Sequence, residues 1–328
     1  MPLSNPNLVQ TLMGWNQVVY IDEAGGLVPS ASGKVLRVTD YELGSRQEGD
    51  APDYITGLQD RTAFTKGPVT IEGTMSYPLT FETGVNTLNG LTMFNIGAGL
   101  AADIQDTFSI ASTAGEVTSG CKIQSTNISC NAGEPVQCSS TIWGISSDTE
   151  NTSWASFSRT ETPTPLWGTP SGVSVAGNFT TAQIPMWDAV RVTGAPAGML
   201  IVGFSIQIEN QLQRNYTMGN GTSAEALRSP WGLNATSISA GQRRVTGSVT
   251  WQSNDSGLIS AIMGAGVESL EIEIGSAATS GMKMTMSQCL WNAQPPKLGT
   301  GDRVTIESGF TALGAGVSDL DAFVLLVY

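Results

Sequence analysis

Histidine is absent from this 328-residue chain. Its absence removes histidine general acid–base chemistry, the Ser-His-Asp and Cys-His nucleophile systems, and every zinc site that needs an imidazole ligand. Charge is scarce as well. Only 13% of residues are charged, and acidic residues outnumber basic ones 28 to 15, for a formal net charge of −13. Affinity for DNA or RNA rests mainly on Lys and Arg neutralising phosphates, so the chain is a poor candidate for gripping nucleic acid. It can still stand beside nucleic acid as a repelling surface, although acidity that simply keeps a protein soluble explains the same balance. Carboxylate-only catalysis survives these exclusions. No convincing pair of carboxylates presents itself, so the chain reads as no enzyme, with no cofactor.

Other absences concern the compartment. Met1 to Tyr20 lacks a basic segment followed by an apolar stretch, so no signal peptide is expected. No apolar run approaches the roughly 18 residues of a membrane span, and no membrane partner is expected. Sequons such as Asn178-Phe179-Thr180 are what chance supplies in a chain rich in Asn, Ser and Thr. The four cysteines, Cys121, Cys130, Cys138 and Cys289, include no Cys-x-x-Cys pair, which argues against a zinc ribbon. The spacing permits a Cys130–Cys138 hairpin bridge. Free buried thiols fit a cytoplasmic product at least as well.

What the chain does contain is an apolar fraction of 40% and abundant Gly, Ser, Thr, Asn and Val. That mixture suits many short strands joined by polar turns, in a chain long enough for two domains. The second half echoes the first in five collinear blocks. Trp15–Tyr20 answers to Trp187–Val192, and Tyr41-Glu42-Leu43 to Phe204-Ser205-Ile206. Ile71-Glu72-Gly73-Thr74-Met75-Ser76-Tyr77 matches Val245-Thr246-Gly247-Ser248-Val249-Thr250-Trp251, alternating apolar and polar residues around a shared glycine. Gly90-Leu91 followed by Gly97-Ala98-Gly99 repeats as Gly257-Leu258 followed by Gly264-Ala265-Gly266, a short helix that Asn254, Asp255 or Ser256 can cap in the second copy. Thr118–Lys122 is echoed by Thr279–Lys283. The expected domains are 1–162 and 163–328, with the boundary inside Thr160–Ser171, where Pro163, Pro165 and Pro170 crowd together. Two long polar connections, Gly44–Gly67 and Gln211–Gly241, occupy corresponding places, and connections of that length are often functional.

The second half carries a more specific pattern. Gly203-Phe204-Ser205-Ile206-Gln207-Ile208-Glu209-Asn210-Gln211-Leu212 leads to Tyr216-Thr217-Met218-Gly219, then Ser229-Pro230-Trp231, then Ala240-Gly241-Gln242-Arg243-Arg244-Val245-Thr246-Gly247. This order resembles bacteriophage tail tube proteins: an alternating strand ending in an acidic turn, a loop, then a Gly-x-Arg-x-Val-x-Gly strand. The first half looks like a divergent copy without the paired arginines. The resemblance implies a mainly β fold of two tandem sandwich or barrel-like domains, each with a short flanking helix. It implies subunits that form rings of sixfold character stacked into a hollow tube in the virion tail, assembled in the host cytoplasm. Three duplicated chains would then supply six domains per ring. The implied partners are further copies of the chain, a tape measure protein and, in a contractile tail, a sheath protein, with DNA passing through unbound.

On that reading Thr70, Glu72, Thr74, Ser76, Ser205, Gln207, Glu209, Thr246, Ser248, Glu271 and Glu273 are the expected lumen-facing residues. Asp53, Tyr54, Arg61, Tyr216, Trp231, Arg243 and Arg244 are the expected contacts between rings or subunits. The plainer alternative makes the polar faces ordinary solvated surfaces. Trp15, Trp143, Trp187, Trp231 and Trp251 read as core or interface anchors. A tail terminator, baseplate or capsid-decoration protein, or a surface adhesin of two β-sandwich domains, stays open as a rival.

Overall fold

Alternation with a period of two commits a segment to one buried and one solvated face, and such faces must find each other to be stable. A computed structural model describes residues 19–22, 34–36, 38–50, 65–81, 87–88, 94, 108–112, 117–148, 184–193, 200–216, 234–252, 267–276, 280–293, 305–314 and 323–327. The first half contributes β1 (Val19–Asp22), β2 (Lys34–Leu36), β3 (Asp40–Asp50), β4 (Thr65–Pro78), β5 (Thr87–Leu88), β6 (Phe108–Ser112), β7 (Val117–Asn131), β8 (Gln137–Gly144) and β9 (Ser146–Asp148). The second contributes β10 (Val190–Thr193), β11 (Leu200–Glu209), β12 (Gln213–Asn215), β13 (Ser237–Ser239), β14 (Arg244–Gln252), β15 (Val267–Ser276), β16 (Ser280–Ala293), β17 (Thr305–Ala312) and β18 (Val324–Val327). A 3-10 turn at Trp187–Ala189 precedes β10. The protein is mainly β, and Phe94 alone among the described residues has α-helical conformation. The short helices expected at 90–99 and 257–266 lie outside those residues, apart from Phe94, whose side chain is buried. The boundary at 160–171 also lies outside them.

Hydrogen bonding follows one order in the first half, β3-β4-β8-β7-β6-β1, and β11-β14-β17-β16-β15-β10 in the second. The two runs meet where β7 pairs with β11, from Gly203↔Asn131 to Glu209↔Ser125. The long strands β7 and β16 each serve two neighbourhoods. β7 pairs with β6 and β9 through its first residues, and with β8 and β11 through the rest. β16 likewise pairs with β15 and β18, then with β17. A sheet that bears its apolar residues on one side must curl to bury them, and one contiguous core results. Val19, Ile21 and Leu36 from β1 and β2 join Ile71, Met75, Ile128 and Ile142 from β4, β7 and β8 in that core, with Ile206, Val249, Ile272 and Met284 from the second half.

The register explains the shared glycine. Leu43 lies opposite Gly73 as Ile206 lies opposite Gly247, and Tyr41 faces Met75 as Phe204 faces Val249. A Cβ on Gly73 would run into the Glu42 carbonyl, and one on Gly247 into the Ser205 carbonyl and the Phe310 ring. Both positions permit close approach of a neighbouring backbone, which no other residue allows. Four residues on from Gly73, Tyr77 lies in the buried layer with Ser140, the two oxygens 2.9 Å apart, while Thr126 Oγ1 lies 3.0 Å from Ser140 Oγ. Trp251 takes the place of Tyr77 in the second half, stacked at a tilt against Trp291 with centroids 6.3 Å apart.

Both ends of the long connections turn out to be strand. β3 and β4 continue as a ladder from Arg46↔Thr70 to Asp50↔Thr65, so the first connection begins later than its polarity suggested. In the second, β12 and β13 form their own two-stranded ladder, Gln213↔Ser239 to Asn215↔Ser237. Polar composition concealed these ladders, since the paired segments Arg46–Asp50, Gln213–Asn215 and Ser237–Ser239 offer no apolar residue besides Ile238.

Substituting Gly73→Ala or Gly247→Ala should lower folding stability by about 1–3 kcal/mol through backbone overpacking. The urea midpoint measures this, and an unchanged midpoint for both would contradict the close-approach explanation.

Candidate functional site

Strands β3, β4, β8, β7, β11, β14, β17 and β16 lie side by side, and the face they turn away from the core is continuous across both halves. Directly paired residues share a face, so the face can be followed row by row. One row runs Asp40, Ser76, Ser139, Asn127, Gln207, Thr246, Thr311. The next runs Glu42, Thr74, Thr141, Ser125, Glu209, Arg244. A third holds Gln137, Ser129, Ser205, Ser248 and Gly309. Short hydroxyls and amides dominate, and no row is wholly of one charge. Ser205 Oγ donates to Asn127 Oδ1 at 3.0 Å across the seam, and Gln207 Nε2 donates to Glu209 Oε1 at 3.1 Å.

Nine of the eleven residues expected on a lumen wall stand on this face: Thr70, Glu72, Thr74, Ser76, Ser205, Gln207, Glu209, Thr246 and Ser248. Their alternate neighbours Ile71, Met75, Tyr77, Phe204, Ile206, Ile208, Val245 and Val249 are buried. Glu271 and Glu273 are placed elsewhere, on β15, opposite Thr285 and Lys283 of β16 and beside Thr193 and Arg191 of β10. Lys283 Nζ sits 2.7 Å from Glu271 Oε1 there. Sequence reasoning missed Asn127, Ser139, Thr141 and Glu42, which share the face. Their strands alternate as cleanly, but only the pairing shows that they join the same wall.

The seam between the halves is closed by side chains that have no sequence neighbours in common. Asn210, 4% exposed, donates from Nδ2 to the Ile123 carbonyl at 2.9 Å, and its backbone N–H donates to the Gln124 carbonyl at 2.8 Å. Leaving that buried carbonyl unpaired would cost about 1–3 kcal/mol. Gln211, at φ 44, then swings the chain out of β11 into the arm formed by β12 and β13. Leu212, Ala235 and Ile238 bury the arm's apolar side. Arg214 reaches from the arm to the first half. Its guanidinium lies 4.0 Å from the centroid of the Trp143 ring, donates to the Ile71 carbonyl at 2.9 Å, and meets Glu72 Oε2 at 3.2 Å. A planar cation suits this combination of stacking and forked donation. Asn234 of the arm also bridges to Val69 of β4.

Of the residues expected at subunit contacts, Tyr216 stands 47% exposed at the end of the described arm, and Arg244 is exposed on β14 beside Glu209. Arg243 adjoins it, half-buried. Asp53, Tyr54, Arg61 and Trp231 lie outside the described residues, as does Trp15. Trp251 is a core residue, Trp143 is the platform beneath Arg214, and Trp187 is half-exposed.

All four cysteines are free and buried, so the bridge that the spacing permits between Cys130 and Cys138 is not formed. The register sets Ile128, rather than Cys130, opposite Cys138. Burial raises the Cys138 and Cys289 thiols, the latter to about 12, and burial followed by the Glu134 carboxylate raises Cys130 to about 11. Among the described residues no cluster of three or more metal-ligating side chains occurs.

A family model described as phage tail tube protein matches residues 15–312. A comparison with curated proteins found no match.

Because the folded thiols ionise later than the ordinary value of 9.0, the stability they contribute is complete below that pH and is lost as pH rises toward about 12. Melting temperature should hold level from pH 7 to 8.5 and fall above 9. Native protein at pH 8 should leave all four thiols unmodified by a thiol reagent until denaturant is added. Rapid native modification would contradict the burial of the four sulfurs.

Proposed function

The chain belongs to the phage tail tube protein family, a structural component of the virion tail that associates with itself, and from that premise we propose how its copies close. Three chains form a ring of six similar lobes, residues 1–162 and 163–328 of each, and the rings stack into a hollow tube. The polar face of β3, β4, β8, β7, β11, β14, β17 and β16 lines the channel, through which DNA and a tape measure protein pass. Assembly takes place in the host cytoplasm.

The observation that carries this reading is the seam at β7 and β11. There the last inner strand of one half pairs with the first inner strand of the next without a break in the polar face. The same junction repeated between chains would join β16 of one copy to β3 of its neighbour, leaving no open edge in the eight-stranded wall. The matching strand order and glycine register of the two halves support treating them as equivalent lobes. The ladder geometry supports closure. The row that starts at Asp40 reaches Gln207, four positions past Gly203, the counterpart of Asp40. Four residues of stagger for every four strands gives a strand tilt of roughly 35°, within the range barrels adopt. Three chains at that tilt enclose a channel roughly 45 Å across between backbones, wide enough for duplex DNA.

The face suits passage because it offers little to hold. Ser, Thr, Asn and Gln form weak, exchangeable hydrogen bonds with water and with phosphate, and its scattered basic side chains sit beside carboxylates, as Arg214 does beside Glu72 and Arg244 beside Glu209. Tight binding of a phosphate backbone needs many uncompensated cations in register.

Two-dimensional averages of purified, assembled protein by electron microscopy test the reading. Hollow rings of six lobes containing three chains, with a channel of roughly 45 Å, are the expected result. A ring of six complete chains, or a dispersed monomer at high concentration, would overturn it.

A further inference from the structure

The two halves place the same hydroxyl in their cores but surround it differently. In the first, Ser140 of β8 lies opposite Met75 of β4 and Thr126 of β7. Tyr77, Ser140 and Thr126 are each at most 2% exposed. Thr126 Oγ1 donates to the Ser139 carbonyl at 3.2 Å. That leaves Ser140 to donate to Thr126 across 3.0 Å, and Tyr77 to donate to Ser140 across 2.9 Å. Every hydroxyl of the relay has a partner, and the relay ends on a backbone acceptor.

In the second half Ser308 of β17 lies opposite Val249 of β14 and Ala293 of β16, the places of Met75 and Thr126. Trp251, opposite Ile306, stands where Tyr77 stands opposite Cys138. Trp251 and Ser308 are therefore diagonal neighbours on the inward face, as Tyr77 and Ser140 are. Ser308 is 0% exposed and Trp251 2%, yet neither Ser308 Oγ nor Trp251 Nε1 has a hydrogen-bond partner among the described residues. The exchange of residues explains why. Alanine brings no hydroxyl at the place of Thr126, and an indole N–H donates but cannot accept. A buried polar atom left unpaired gives up its bonds to water for nothing, so two such neighbours in one layer call for a shared partner.

We propose that one internal water molecule is bound between Trp251 Nε1 and Ser308 Oγ. The occupant must accept from the indole N–H and must also bond to a hydroxyl. It must be neutral, because the paired and stacked neighbours Val249, Ile306 and Trp291 offer no countercharge. It must also be small, since it sits inside a packed layer. Water meets all of these requirements, and a buried water makes about three hydrogen bonds to groups of this kind. It serves in the second half as the Tyr77 and Thr126 hydroxyls serve in the first. The site belongs to the core alone and does not depend on the tube reading.

Nuclear magnetic resonance of dispersed protein, isotope-labelled at its tryptophan nitrogens, tests this, with the Trp251 indole assigned through Trp251→Phe. In the wild-type protein the Trp251 N–H should exchange slowly with solvent, yet show direct cross-relaxation to a long-lived water. Ser308→Ala removes one partner of that water. The water signal should weaken or vanish, and the melting temperature should fall by about 2 °C, the shift expected for one lost hydrogen bond in a chain of this size. A protected wild-type Trp251 N–H with no cross-relaxation to water would overturn the proposal, and so would a rapidly exchanging one, which would place the indole in bulk solvent. A melting temperature that holds or rises in Ser308→Ala would overturn it as well, since deleting a hydroxyl that binds nothing carries no penalty.

Discussion

The ladder between β7 and β11 is the constraint on which the rest depends. Seven successive residue pairs, Gly203↔Asn131 through Glu209↔Ser125, fuse two curled sheets into one surface. Each half alone could bury its apolar residues by curling, but only this ladder fixes the relative position of their outer faces. Because side chains alternate with a period of two, a slip of one residue would turn Ser205, Gln207 and Glu209 into the core and push Phe204, Ile206 and Ile208 out. The buried amide of Asn210, bonded to the Ile123 carbonyl, holds the register at one end. The Ala132 N–H, donating to the Val202 carbonyl at 2.7 Å, holds it at the other.

The same constraint accounts for the asymmetry of an otherwise repeated plan. The arm of the second half meets the first half within one chain, where Arg214 finds Trp143 and Glu72. The positions that correspond to Glu72 and Trp143 in the second half are Thr246 and Thr311, which are paired in the same way but offer neither an aromatic platform nor a carboxylate. An arm arriving there would be held by weaker contacts. Covalent continuity within the chain therefore coincides with the stronger clamp, and the divergence of the halves has a physical consequence.

Much of this was legible in the sequence because it depends on local periodicity. The alternation in 71–77 and 245–251 announced strands with one polar side, and those residues form β4 and β14 with that face outward. The echo of Tyr41-Glu42-Leu43 in Phe204-Ser205-Ile206 located β3 and β11. What periodicity cannot reveal is which strands become neighbours. Glu271 and Glu273 alternate as cleanly as Gln207 and Glu209, yet their strand pairs with the far part of β16, and Lys283 takes one of them. The Arg214 clamp left no trace in the sequence, since Ile71 and Glu72 are more than a hundred residues away, Trp143 is also remote, and Arg243-Arg244 looked the better basic candidate. The ladders of β12, β13 and the outer part of β3 were hidden by polar composition for the same reason: they rely on neighbours for their burial.

The central claim is that the polar face becomes the inner wall of a channel, and accessibility before and after assembly tests it most directly. The native thiols are buried, so a cysteine introduced by Thr74→Cys on β4 reports alone. Dispersed protein should couple fully to a maleimide-bearing protein too wide to enter the channel, and the assembled tube should resist it, while Thr285→Cys on the opposite layer stays reactive in both states. Equal coupling of Thr74→Cys in dispersed and assembled protein would contradict the account, because the face would then be an outer surface.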